Sequence, residues 1–143
     1  MSPAKALFFT LVLTAFLSGP AGAQEADVKI KVTINDNKVV TATLEDNPTA
    51  QAFASLLPLT LDMGDLHGNE KFFDLPKNLP TKDKNPKRIQ AGDLMIWSSR
   101  TVVLFYESFP TPYSYTKLGR IDDAAGLAEA VGSGNVKVTF ELE

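Results

Sequence analysis

The chain has 143 residues, 44% of them hydrophobic and 22% charged, with no cysteine and a formal net charge of −3 at pH 7. This length excludes a TIM barrel or a multidomain enzyme, and this composition excludes disorder, collagen and a coiled coil. The mild acidity argues against nucleic acid as a partner, and a mean hydropathy of −0.03 argues against a polytopic membrane protein.

Met1 to Ala23 has the pattern of a secretory leader. Lys5 supplies the positive end, Ala6 to Leu17 is free of charge, and Ala21-Gly22-Ala23 fits the small-x-small cleavage rule. Read instead as an anchor helix, those twelve apolar residues would reach only about 18 Å at 1.5 Å per residue, short of a hydrocarbon core of roughly 30 Å. Cleavage after Ala23 would leave residues 24–143, 120 residues with 13 basic and 17 acidic side chains and a formal charge of −4. The expected location is therefore periplasmic or secreted, with no stable membrane anchor after cleavage. Without cysteine, such a domain has no disulfide to stabilise it, and no thiolate serves as nucleophile or metal ligand.

Val28, Ile30, Val32 and Ile34 alternate with polar residues, and Val40, Ala42 and Leu44 repeat the pattern after Asp36-Asn37, which predicts a hairpin with one buried face. Asn47 before Pro48 predicts a cap and first residue for a helix over Thr49 to Leu57, ended by Pro58. Alternation resumes at Leu59, Leu61 and Met63, with a bend or bulge expected between Gly64 and Glu70 ahead of Lys71-Phe72-Phe73. Asp74 to Gln90 is polar, holds three prolines and reads as a long surface loop. Strands follow over Leu94 to Ser98 and Thr101 to Glu107, joined tightly at Ser99-Arg100. Val102 to Tyr106 is apolar throughout, as a strand buried on both faces requires. Thr116 to Ile121 reads as a strand, Asp122-Asp123 as the cap of a helix over Ala124 to Val131, and Val136 to Leu142 as the cleanest strand in the chain. Seven or eight strands with two short helices predict a mainly β fold, a closed barrel capped by the helices; a half-open sheet is the alternative.

Several strings carry a resemblance. Asp46-Asn47-Pro48-Thr49-Ala50, Phe53 to Leu61, Glu70-Lys71-Phe72 with Leu75-Pro76, Ala91-Gly92-Asp93-Leu94, Leu104-Phe105-Tyr106 and Lys117 to Ile121 are similar to the bacterial cyclophilin-like family of unassigned function. The resemblance spans most of residues 24–143 and implies an eight-stranded cyclophilin-type barrel with helices closing its ends. It does not bring prolyl isomerase activity with it. The Phe-His-Arg string and glutamine-bearing loop of true cyclophilins are missing: Arg88, Arg100 and Arg120 follow Lys87, Ser99 and Gly119, and the single histidine, His67, lies between Leu66 and Gly68. The family implies no catalytic residue and no cofactor.

Three clusters could carry chemistry. Asp62, Asp65, His67 and Glu70 hold metal-ligand atoms within nine residues, but strand alternation scatters them over both faces, so a solvated bend is expected and no metal. Lys77, Lys82, Lys84, Lys87 and Arg88 make the 77–90 loop basic, a solvated loop or an anion site, with no interleaved aromatic to stack nucleic-acid bases. Trp97, Phe105, Tyr106, Phe109, Tyr113 and Tyr115 gather rings in nineteen residues. Trp97 and Phe105 read as core, while Phe109, Tyr113 and Tyr115, set among Pro110 and Pro112, read as the edge of a groove for a small molecule or extended peptide. Glu70, Lys117 and Arg120 are the charges expected either to orient that ligand or to form a structural ion pair. No catalytic constellation is present, and no pattern sets an oligomeric state. The expected function is a non-catalytic exported binding module, with a non-standard peptidyl-prolyl isomerase and a ligand-free interaction protein as alternatives.

Overall fold

The computed structural model describes residues 27–143, so the leader assigned to residues 1–23 lies outside the described residues. The first hairpin forms as its alternation predicts. Strands β1 (Lys29–Ile34) and β2 (Lys38–Leu44) pair antiparallel from Lys29↔Thr43 to Ile34↔Lys38. The turn between them sits at Asn35 and Asp36, with φ of 51° and 63°, the left-handed region that short polar side chains tolerate. Ile30, Val32 and Ile34 are fully buried.

Helix α1 (Pro48–Ala54) is shorter than expected: beyond Ala54 the backbone tightens into i→i−3 bonds, from Leu56 N to Phe53 O and from Leu57 N to Ala54 O. Asn47 caps it as predicted and does a second job. Its Oδ1 accepts from Ala50 N at 2.7 Å, while its Nδ2 donates 2.9 Å to Lys117 O on strand β9 (Thr116–Ile121). The cap thus pins the helix to the barrel. Asn47→Ala is expected to cost about 1–2 kcal/mol, lowering Tm in a circular-dichroism melt by roughly 4–8 °C.

Strand β3 (Leu59–Leu66) runs further than its glycine predicted, and the turn falls at residues 67–69, where His67 and Gly68 take φ of 58° and 66°. Strands β4 (Glu70–Asp74), β6 (Asp93–Trp97), β7 (Thr101–Phe105) and β10 (Val136–Leu142) complete a closed barrel in the order β1-β10-β3-β4-β7-β6-β9-β2, every neighbouring pair antiparallel. The fold is therefore mainly β, an eight-stranded barrel with two short helices. The second helix, α2 (Leu127–Val131), starts later than expected. Gly126, at φ 79°, is its cap; of the pair expected there, Asp123 Oδ1 accepts from Ala125 N at 3.0 Å in the turn before the helix, and Asp122 accepts from Thr43 Oγ1 at 2.6 Å and Lys29 Nζ at 3.1 Å. Inside the barrel, Phe53 of α1 meets Phe140 of β10 edge-on, at 5.7 Å between ring centres.

The 74–90 segment is not the free surface loop its polarity predicted. Leu75, Leu79 and Ile89 are buried, and backbone bonds from Leu75 N to Arg100 O and from Leu79 N to Ser99 O strap it across the β6–β7 hairpin. Three apolar residues in a polar stretch are enough to anchor it, each contributing about 1.5–3 kcal/mol of burial. Its end forms strand β5 (Arg88–Ile89), paired with β8 (Phe109–Pro110) in a separate two-stranded sheet outside the barrel.

That outer sheet explains the unbroken apolar run of β7. Val102 and Leu104 face the barrel core, whereas Val103 and Phe105 face outward into a second cluster with Ile89, Met95 and Tyr115. A barrel strand normally shows one face to water; this one is covered on both.

Candidate functional site

The outward face of β4, β7 and β6 is set by register. Phe72 lies opposite Val103, Glu70 opposite Phe105, Asp74 opposite Thr101, and Trp97 also opposite Thr101. Because Lys71 and Phe73 alternate inward, Glu70, Phe72 and Asp74 share the outer face. Residues 109–115 pass over this face. They are held by Thr111 N on Lys87 O, a reciprocal backbone pair between Lys84 and Tyr115, and Asn85 Nδ2 on Pro112 O at 3.0 Å. Between this arm and the β3–β4 turn lies a groove of about 590 Å³.

The groove is aromatic along its length. Tyr113 stands edge-on to Trp97 at 5.7 Å and 79°, Trp97 meets Tyr115 at 5.5 Å and 54°, and Phe105 joins Tyr115 at 5.6 Å and Phe109 at 5.7 Å. Phe72, Val103, Pro110 and Pro112 add apolar surface. Trp97 corrects the expectation that it is core: as the alternate of inward Ile96 it points outward and is 41% exposed.

The polar groups are few. Burial pushes the Glu70 carboxyl above its ordinary value; nearby His67 opposes this and Asp65 reinforces it. Burial likewise raises the Tyr115 hydroxyl, with the Glu70 charge adding to the effect. Asp74 Oδ1 accepts from Thr101 Oγ1 at 2.7 Å. Asn69 Oδ1 is buried without a hydrogen-bond partner.

Of the residues expected to form the site, Glu70, Phe109, Tyr113 and Tyr115 line this groove together. Lys117 does not: it borders a neighbouring hollow of about 720 Å³ beyond Tyr115, with Lys82, Lys84 and Glu45. Arg120 lines neither. Its Nη1 donates 2.8 Å to Asp93 Oδ1, directly across β6–β9, while Asp93 Oδ2 accepts from Gln90 N, so Arg120 is tied into a turn. Both basic residues point outward, although three apart, because the β6–β9 register shifts between Leu94 and Met95 and leaves Leu118 and Gly119 consecutively buried.

The acidic cluster is split in the same way. Asp65 accepts from Tyr106 Oη at 2.6 Å and pairs with Lys71 Nζ at 3.0 Å on the inner side, while Glu70 turns outward and His67 occupies the turn. Among the described residues no group of three or more His, Asp or Glu side chains is placed to hold a metal ion. Sequence reasoning missed Phe72, Val103 and Trp97 as lining residues. The signal that could have found them was the apolar run of β7, since a second buried face requires a cover and a cover has an edge.

A closed eight-stranded antiparallel barrel with two short helices is the architecture of the cyclophilin-like class of protein. The sequence agrees: residues 32–141 match the model of the Cyclophilin-like family, and the chain belongs to that family. The solution structure of the hypothetical protein AF2241 from Archaeoglobus fulgidus shares the fold, with a TM-score of 0.56 at 19% identity, covering 86% of this chain and 100% of that one. No curated protein matches the chain.

Proposed function

We propose that this chain is an exported, non-catalytic binding module that holds a small molecule or an extended peptide in the groove between residues 109–115 and the β3–β4 turn. One observation carries the reading. Of six large apolar side chains that stand exposed among the described residues, three, Leu66, Trp97 and Tyr113, meet at this groove. Exposed apolar surface scattered singly needs no explanation, but apolar surface gathered around a concavity with a few polar groups is the mark of a ligand site. The leader pattern of residues 1–23 supports action in the periplasm or outside the cell.

Trp97 is the only tryptophan, so its emission reports on the groove alone. Titration with a panel of proline-containing peptides and metabolites is expected to shift that emission for at least one ligand. The same ligand at a hundred times its Kd stabilises the fold by about 2.7 kcal/mol, visible as a higher Tm. Tyr113→Ala should weaken that ligand about tenfold while leaving Tm without ligand unchanged. A panel that moves neither emission nor Tm overturns the reading, and so does prolyl-peptide isomerisation that disappears in Tyr113→Ala, which would make the groove catalytic.

A further inference from the structure

We infer that the ligand of this groove carries a quaternary ammonium group. The inference rests on the groove being a binding site and adds the chemical class of what it binds. Trp97 and Tyr113, the exposed rings of the groove, stand at 79° to one another rather than stacked, and the buried Tyr115 backs Trp97 at 54°. Aromatic faces carry negative quadrupole charge, and a desolvated alkylated cation is the ligand that benefits most from being enclosed by them.

The charges along the groove agree. Glu70 and Asp74 line it, His67 is the one basic residue on its wall, and neither lysine nor arginine borders it. The basic side chains of this region lie on the far side of Tyr115, where Lys82, Lys84 and Lys117 border the neighbouring hollow. An anionic ligand would meet two carboxylates with no lysine or arginine to offset them. A neutral apolar ligand would strip water from Glu70 and return nothing. A quaternary ammonium group is weakly hydrated, fills the apolar corner with methyl groups and offsets the half-buried carboxylate. Burial already pushes the Glu70 carboxyl upward, as expected of a carboxylate without its cation.

The test uses the soluble chain, Trp97 emission and three probes at constant ionic strength. These are choline chloride, its uncharged isostere with a tert-butyl group in place of trimethylammonium, and a peptide bearing trimethyl-lysine. Choline is expected to bind at least about tenfold more tightly than the isostere, and Glu70→Gln to remove most of that difference while the isostere is unaffected. Tyr113→Ala, at a side chain 58% exposed, should weaken choline several-fold without disturbing the fold. Glu70→Gln should melt at or above the parent temperature at neutral pH, since it removes a charge that burial disfavours. Tighter binding of choline identifies a free small cation, tighter binding of the peptide a methylated side chain, and either result supports the inference. An isostere that binds as well as choline, or a Glu70→Gln protein with unchanged choline affinity, overturns it and leaves the groove itself standing as an apolar site. Silence of all three probes also overturns it, whereas the groove reading falls only if the broader peptide and metabolite panel is silent too.

Discussion

Lys71→Ala is expected to destabilise the protein by about 3–5 kcal/mol, a large part of the 5–15 kcal/mol available to a domain of this size. Lys71 is wholly buried and carries a charge. Its Nζ donates to Gly132 O at 2.8 Å and Gly134 O at 2.6 Å, pairs with Asp65 Oδ1 at 3.0 Å, and lies 5.2 Å from the centre of the Tyr106 ring. These contacts satisfy the ammonium group and tie the loop after α2 to β3 and β4. Truncation leaves two carbonyls and a carboxylate without their donor and empties the space of the aliphatic stem. Chemical denaturation of both proteins checks the magnitude.

Lys71→Met separates volume from charge. It restores the stem but not the donor, so it should recover the cavity part of the loss and no more. The pH dependence then identifies the electrostatic part. The Tyr106 hydroxyl, and after it Lys71 and the Gly68 N–H, hold the Asp65 carboxyl below its ordinary value against the opposing effect of burial. A depressed carboxyl contributes stability that is present above its unfolded value and is lost as pH falls through its folded one. The parent protein should therefore lose stability on acidification below about pH 4, and Lys71→Met should lose less over the same window, because only Tyr106 and the Gly68 N–H then hold Asp65. Equal acid slopes in the two proteins would mean that Lys71 does not act on Asp65.

What the sequence made legible was what repetition encodes. The alternation of Val28 to Leu44 and of Val136 to Leu142 and the Asn47-Pro48 start of α1 reappear as β1, β2, β10 and a capped helix. What it concealed depends on partners distant in the chain. Leu75, Leu79 and Ile89 are too sparse in a polar stretch to form a pattern, yet each enters a pocket made by other segments. Trp97 was expected in the core because large rings usually are buried, but its position two residues from outward Met95 decides its face. Lys71 carries no mark of burial at all, since the carbonyls that accept its hydrogen bonds lie about sixty residues away. Of the site, the rings of the 109–115 arm were legible from their clustering with proline. The charges were harder to place: the bulge in β9 sends Lys117 and Arg120 to the same outer surface but to different partners.

Gly119→Ala should be the most damaging exchange of a single hydrogen for a methyl group. Gly119 lies opposite Leu44 where β9 and β2 pair over three residues, from Ala42↔Ile121 to Leu44↔Gly119. A Cβ built on it would stand 2.5 Å from Thr43 O, 3.0 Å from Leu44 Cα and 3.2 Å from Thr43 C. All three atoms are backbone, so no rotamer change relieves the clash, and the strands must part. Two flanking backbone bonds, from Glu45 N to Leu118 O and from Asp122 N to Thr41 O, extend this short seam, and separating it opens the barrel between its first hairpin and β9. Overpacking of this kind costs about 1–3 kcal/mol where side chains can shift; against rigid backbone the upper end is expected, a fall in Tm of roughly 10 °C or more. Amide exchange should localise the damage. Glu45 and Asp122, whose N–H groups donate across the seam, should lose protection well before the β1–β10 pairing does. An alanine variant that melts within two or three degrees of the parent would mean that β2 and β9 can separate without cost, and that barrel closure contributes little to the stability of this fold.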